Sequence, residues 1–151
     1  MRALIASLFI AVLGFSSIAT AADPGDAIVG TWMTNDGSSK VQISNAQGVY
    51  NGQVVWLKEP VFPADDNQGM AGQPKVDRLN SDAALRTRPV MGLAILTGLR
   101  YAGNNSWQGG TIYSPANGKS FPCKLTLGSD GSLNVSVGGS VFGRTVTWTR
   151  S

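Results

Sequence analysis

Residues 123–137, CKLTLGSDGSLNVSV, carry the clearest structural signal of the chain. Apolar and polar residues alternate on both sides of Ser129-Asp130-Gly131, which is a strong hairpin-turn signal. Alternation gives a strand one apolar and one polar face, as in antiparallel strands with one buried side. This stretch therefore predicts a β-hairpin that turns one face toward a core.

The same alternation of apolar and polar residues recurs from residue 28 onward. It predicts strands at residues 28–33, 41–44, 50–56, 93–101, 107–113, 123–127, 133–137 and 145–149. Eight short strands joined by hairpin turns favour an all-β fold. This fold would be an antiparallel up-and-down barrel or a half-barrel. Pro122 would remove a hydrogen bond from the sheet, so we expect it at a strand start, at a bulge or beside a gap.

Residues 58–91 interrupt this alternation, because they contain four prolines and show no period of two. Within them, residues 81–86 can form one short helix, capped by Asn80 or Ser81 and stopped by Pro89. Asp82 would favour the positive end of this helix. We expect the helix to lie across one end of the barrel. A connection of this length inside a compact domain is usually functional or flexible.

The amino terminus is typical of a secretory signal peptide. Arg2 supplies a positive charge, residues 4–15 are uncharged and mostly apolar, and Ala19-Thr20-Ala21 fits a small-x-small cleavage site. The apolar run is too short to span a bilayer. We expect residues 1–21 to be a signal peptide and residues 22–151 to be the β-barrel domain, periplasmic or secreted and not membrane-spanning.

The composition excludes several kinds of site. The chain has no histidine, which removes the commonest general base and metal ligand and excludes Ser-His-Asp or Cys-His catalysis. We therefore expect no enzyme, no metal and no cofactor. The 12 Lys and Arg residues exceed the 9 Asp and Glu residues only slightly and are scattered, so nucleic acid is not an expected partner.

Cys123 is the only cysteine, so an internal disulfide is impossible. We interpret it as a buried apolar residue, with a reactive thiol or an intermolecular bridge as the alternative.

Five pieces of the chain resemble one exported bacterial family. They are IVGTW at residues 28–32, VVWLKEP at 54–60, DAALRTRP at 82–89, GGTIY at 109–113 and GRTVTWTR at 143–150. Together they resemble the family called domain of unknown function 2147 over essentially the whole mature chain. The resemblance implies a signal peptide, a lipocalin-like barrel and no established activity. Members often carry a cysteine pair around the second hairpin. Asn51 stands at the place of one, so no disulfide is expected there.

Gly30-Thr31-Trp32 is also similar to the Gly-x-Trp opening of lipocalins. In lipocalins the tryptophan packs at the closed end of the barrel, beneath an arginine of the last strand. Arg144 and Arg150 are the candidates for this cation–π partner. The residues that we expect to be structural are Gly30, Trp32, Asp82, Arg144, Trp148 and Arg150.

The leading functional hypothesis is a binding module with a small apolar or amphipathic ligand in the barrel. Eight-stranded barrels either fill their interior or hold one small ligand. The predicted lining of the cavity is Trp56, Leu93, Ile95, Tyr101 and Trp107. Arg86 and Arg88 would bind an acidic head group at the mouth. In the alternative interpretation both arginines are used locally, Arg86 by Asp82 and Arg88 by Asp77 or another carboxylate of the loop.

A second hypothesis is a solid barrel that acts through protein–protein contacts in the envelope. Val141 and Phe142 are apolar at a predicted hairpin tip, and with the proline-rich segment they would form its contact surface.

Overall fold

The computed structural model describes residues 21–139 and 143–151. The predicted signal sequence up to residue 20, and Val141 and Phe142, lie outside the described residues. Among the residues that are described, no helix has the length and apolar content needed to cross a bilayer. The strands are β1 Gly30–Met33, β2 Ser39–Ala46, β3 Val49–Leu57, β4 Ala94–Tyr101, β5 Ser106–Ser114, β6 Lys119–Leu127, β7 Leu133–Val137 and β8 Arg144–Arg150.

The eight strands form a closed antiparallel barrel in chain order. Each strand pairs with the next, and β1 pairs with β8 through Trp32 opposite Arg150 and Met33 opposite Thr149. This confirms the predicted up-and-down barrel and excludes the half-barrel. Pro122 lies within β6, one residue before β7 begins to pair with β6 at Cys123. It lies opposite Thr111 of β5, and its carbonyl accepts from the Gly138 amide at 2.9 Å. The expectation of a strand start, a bulge or a gap is therefore wrong: Pro122 lies inside the strand, where its missing N–H faces the end of the β6–β7 pairing.

Inward-facing side chains pack together in the interior of the barrel. The large side chains that are fully buried there are Trp32, Val41, Ile43, Tyr50, Leu96, Leu99, Trp107, Leu125, Leu133 and Val135. Most of them come from alternate positions of their strands, because successive strand residues point to opposite faces. Leu96 and Leu99 are the exception, since they lie three residues apart across an irregularity in the pairing of β4 with β3. The alternation read from the sequence therefore identifies most of the core.

A β-bulge in β3 interrupts this alternation. Lys40 lies opposite Trp56, but Val41 lies opposite Val54, so Val55 is an extra residue on β3. One inserted residue moves the following side chain to the other face of the sheet. The Trp56 side chain is 39% exposed, and the Lys40 ammonium lies 5.6 Å from its ring centroid. The prediction that Trp56 lines the interior is therefore wrong.

Cys123 lies in β6 with its side chain buried in the core. Burial raises the pKa of its thiol to about 11, and only the thiolate reacts readily with disulfide reagents. We expect Cys123 in the folded protein to resist a chromogenic disulfide reagent at neutral pH and to react at the rate of a free thiol in denaturant. Rapid labelling of the folded protein, followed spectrophotometrically, would contradict this expectation.

Candidate functional site: the open end of the barrel

One end of the barrel is sealed by a 3-10 turn, Pro24–Ile28, which precedes β1. The Trp32 indole N–H donates to the Ile28 carbonyl at 2.8 Å, and the Trp107 indole N–H donates to the Gly25 carbonyl at 3.0 Å. Both indoles are fully buried, and their polar atoms are satisfied by the turn. Within the described part of the chain, this turn therefore closes this end of the barrel to a ligand.

Arg150 completes the seal from the last strand. Its guanidinium lies 4.3 Å from the Trp32 ring centroid and donates to the carbonyls of Ala27 (2.7 Å) and Val29 (3.1 Å). Gly30 has φ +135°, and a Cβ there would lie 2.7 Å from Arg150 Nη1. Glycine at this position therefore leaves room for the guanidinium.

The other candidate structural residues of β8 are placed differently. Arg144 is exposed at the start of β8 and pairs with Val137, so it does not lie over Trp32. Trp148 is buried in the core.

A polar cluster beneath the turn also stabilises the closed end. The Asp26 carboxylate accepts hydrogen bonds from the Tyr50 hydroxyl (3.1 Å) and the Asn45 amide (2.6 Å). Burial and the hydrogen bond to Asp26 raise the pKa of Tyr50 to about 12. The phenol therefore stays a neutral donor, which indicates a structural role. Sequence reasoning missed this cluster, because Asp26 precedes the first predicted strand.

The opposite end of the barrel is open and carries a cleft of about 670 Å³. It lies between the barrel rim and the connecting segment, residues 58–93. We call it the mouth cleft. Its apolar lining among the described residues includes Val54, Leu57, Phe62, Val76, Val90 and Ile95. The charged residues that line it are Asp36, Lys58, Glu59, Lys75 and Arg78.

Several of these charges already have partners. The Lys75 ammonium lies 3.7 Å from the exposed Glu59 carboxylate, and Arg78 Nη1 lies 2.7 Å from Asp66 Oδ1. Burial acts to raise the pKa of Asp36, but hydrogen bonds from Ser38 and Thr34 outweigh it and hold this pKa below its ordinary value. The cleft thus combines apolar walls with a charged rim.

A match to one family model spans most of the chain and shows which family the chain belongs to. Residues 30–150 match the model of a family described as "Uncharacterized protein conserved in bacteria (DUF2147)". The chain belongs to DUF2147. Its structure resembles that of "Protein HP1028 from the human pathogen Helicobacter pylori", which is described as belonging to the lipocalin family. The two are 24% identical, with a TM-score of 0.67 over 82% of each chain. A comparison with curated proteins finds no match.

In this DUF2147 barrel the seven predicted ligand-binding residues do not meet in one cavity. Of the seven, Ile95 alone lines the mouth cleft. Leu93 is buried in the core, and Tyr101 packs on Trp107 at the closed end, with ring centroids 5.2 Å apart. The prediction of a shared cavity is wrong, because aromatic and aliphatic side chains fill the closed half of the barrel. The cleft lies at the open end of the barrel and not in the interior that the predicted lining residues would enclose.

Arg88 belongs to a buried polar network around Asp77, which we call the Asp77 network. The fully buried Asp77 carboxylate accepts hydrogen bonds from Arg88 Nε (2.9 Å), Asn80 Nδ2 (2.8 Å) and the Tyr113 hydroxyl (2.6 Å). Arg88 Nη2 also lies 2.8 Å from Asp77 Oδ2. Arg88 is thus held by Asp77, as the local alternative proposed. Because Tyr113 lies in β5, the network fixes the connecting segment to the barrel.

Arg86 is also used locally, but not by Asp82. Its Nε donates to the Asn80 carbonyl at 2.8 Å. Asp82 instead accepts from the Ala84 amide at 3.0 Å and caps a 3-10 turn, Ala83–Leu85. The helix predicted over residues 81–86 is therefore this single short turn. The expectation that Asn80 or Ser81 caps it is wrong, because the turn begins only at Ala83 and Asp82 is its cap; the Asn80 side-chain oxygen accepts from the Asp82 amide at 2.8 Å instead.

Proposed function

We propose that this DUF2147 chain is an exported, non-enzymatic module, periplasmic or secreted, that binds a small apolar or amphipathic ligand in the mouth cleft. The observation that carries the proposal is an apolar-walled cleft at the open end of a barrel whose other end is sealed. Its volume of about 670 Å³ falls within the range of roughly 300–1,000 Å³ that is usual for ligand pockets.

The lining indicates how such a ligand would lie. Its apolar part would contact Val54, Val90 and Ile95, and its polar part would reach the rim near Lys58 and Lys75. The likeness to a lipocalin-family structure supports this arrangement, since lipocalin barrels can hold one small ligand. The alternative of a barrel that is solid throughout agrees less well with this cleft.

The proposal is tested by filling the cleft. Val90 lines it and lies outside the main core cluster, whereas the neighbouring Met91 is exposed. We expect the fluorescent probe 1-anilinonaphthalene-8-sulfonate to bind the wild-type protein. Val90→Trp should weaken binding at least about tenfold by occupying the pocket volume. The matched control Met91→Trp should leave affinity nearly unchanged.

Two results would count against the proposal. One is a wild-type protein that binds no probe and shows no co-purified small molecule in native mass spectrometry. The other is an equal loss of probe binding in Val90→Trp and Met91→Trp, with both variants folded by circular dichroism. The second result would place the probe on the outer surface.

A further inference from the structure

Phe62 forms a wall of the mouth cleft and belongs to a loop that is closed on itself. We call residues 61–74 the flap. Its base is closed by the bridge between Val61 and Pro74 and by a hydrogen bond from the Phe62 amide to the Gln73 carbonyl, 2.9 Å. Further along, the Asp66 carboxylate accepts from the Met70 amide at 3.1 Å. These bonds lie within the flap, and they break when the flap opens from its base.

Arg78 connects the flap to the rest of the molecule. Its Nη1 donates to Asp66 Oδ1 at 2.7 Å, and its guanidinium lies 4.1 Å from the Phe62 ring centroid. Within residues 21–139 and 143–151, we find no other hydrogen bond between the flap and the remaining chain. One side chain therefore engages two flap residues, one by charge and one by cation–π stacking.

The part of the chain that carries Arg78 is fixed to the barrel. Asp77 is anchored by the Asp77 network, and the Val90 amide donates to the Lys75 carbonyl at 3.0 Å. Gly118, in the β5–β6 turn, has φ +68° and packs so closely on the Leu79 backbone that a Cβ there would overlap it. Arg78 thus extends from a rigid support to a flap with few other ties.

Phe62 gives the flap a direct effect on the cleft. Its side chain is only 6% exposed and lines the mouth cleft together with Val54 and Ile95. If the flap swings away, Phe62 leaves Arg78 and the entrance of the cleft widens. We propose that the flap is the movable wall of the mouth cleft and that Arg78 is its latch. The effect on ligand entry rests on the proposed function, whereas the motion itself does not.

Hydrogen exchange followed residue by residue by NMR tests the latch without any ligand. In Arg78→Ala we expect the amides of Phe62, Gly72 and Gln73 to exchange about tenfold faster or more, as local opening becomes easier. The amides of Asp77, Asn80 and Val90 and of the strands should keep their wild-type rates. Arg86→Ala is the matched control, since Arg86 lies in the same segment and does not touch the flap.

Three outcomes would overturn the latch. The flap amides could be unchanged in Arg78→Ala, the same acceleration could occur in Arg86→Ala, or the acceleration could extend through the strands as in global destabilisation. If Arg78→Ala does not fold, Asp66→Asn replaces it. This variant keeps the size of the side chain and the stacking of Arg78 on Phe62, and should accelerate the same amides to a smaller degree.

Stopped-flow binding of 1-anilinonaphthalene-8-sulfonate separates this inference from the proposed function. A latched flap predicts a severalfold faster association rate in Arg78→Ala than in the wild type, with Arg86→Ala unchanged. Equal association rates in all three proteins would contradict a role of the flap in entry. If no probe binds the wild type, the proposed function fails, and the exchange experiment still decides whether the flap opens.

Discussion

Asp77→Ala is expected to lower the free energy of unfolding by about 3 kcal/mol, because each buried donor that is left without its acceptor costs about 1–3 kcal/mol. Asp77 is fully buried and accepts hydrogen bonds from Arg88, Asn80 and Tyr113. Its removal leaves these three donors without their acceptor and an arginine without its counter-charge. Urea unfolding followed by tryptophan fluorescence measures the change.

Two variants separate this network from the general effect of losing a carboxylate. Tyr113→Phe deletes the hydrogen bond that the Tyr113 hydroxyl donates to Asp77 and the one that it accepts from Asn80 Nδ2, and should cost about 1–2 kcal/mol. Asp82→Ala removes the acid that caps the neighbouring exposed turn, and should also cost about 1 kcal/mol. If Asp77→Ala is no more destabilising than Asp82→Ala, water replaces the lost acceptor, and the Asp77 network does not hold the connecting segment.

The strands of the barrel could be predicted because the sequence pattern that indicates each strand lies within the strand and its turns. Alternation along each strand and turn residues between strands identify eight strands without knowledge of their partners. The bulge at Val55 could not be found in this way, since it exists only in the pairing of β3 with β2. The sequence pattern of β3 gives no sign of where the register shifts. For this reason alternation alone places Trp56 on the wrong face of a correctly predicted strand.

The mouth cleft was harder to predict than the barrel. Phe62 and Arg78 lie in a segment without periodicity, and their contact depends on two loops that fold back on one another. Charge alone identifies Asp77 as one of the possible partners of Arg88 in the loop. Nothing in the sequence indicated that Asp77 is fully buried or that Tyr113 joins it from β5. At the closed end, the resemblance to lipocalins reduced the choice to Arg144 or Arg150, and strand pairing places Arg150 beside Trp32.

The second large effect is expected at the closed end of the barrel. Trp107→Ala should lower the free energy of unfolding by about 3–5 kcal/mol, as is usual when a buried aromatic side chain is removed from a core. Trp107 is fully buried, packs against Tyr50 and Tyr101, and donates to the Gly25 carbonyl. The substitution therefore creates a cavity and also releases the turn that seals the barrel. Thermal and urea unfolding measure the loss.

Trp56→Ala is the matched control, because the same atoms are removed from a side chain that the bulge turns outward. Trp56 is 39% exposed and contacts Lys40, so the expected loss is at most about 1 kcal/mol. A conventional alternation of β3 would place Trp56 in the core and predict similar losses for the two variants. Equal destabilisation would therefore contradict the bulge. A large difference would show that one extra residue in β3 decides which tryptophan supports the barrel.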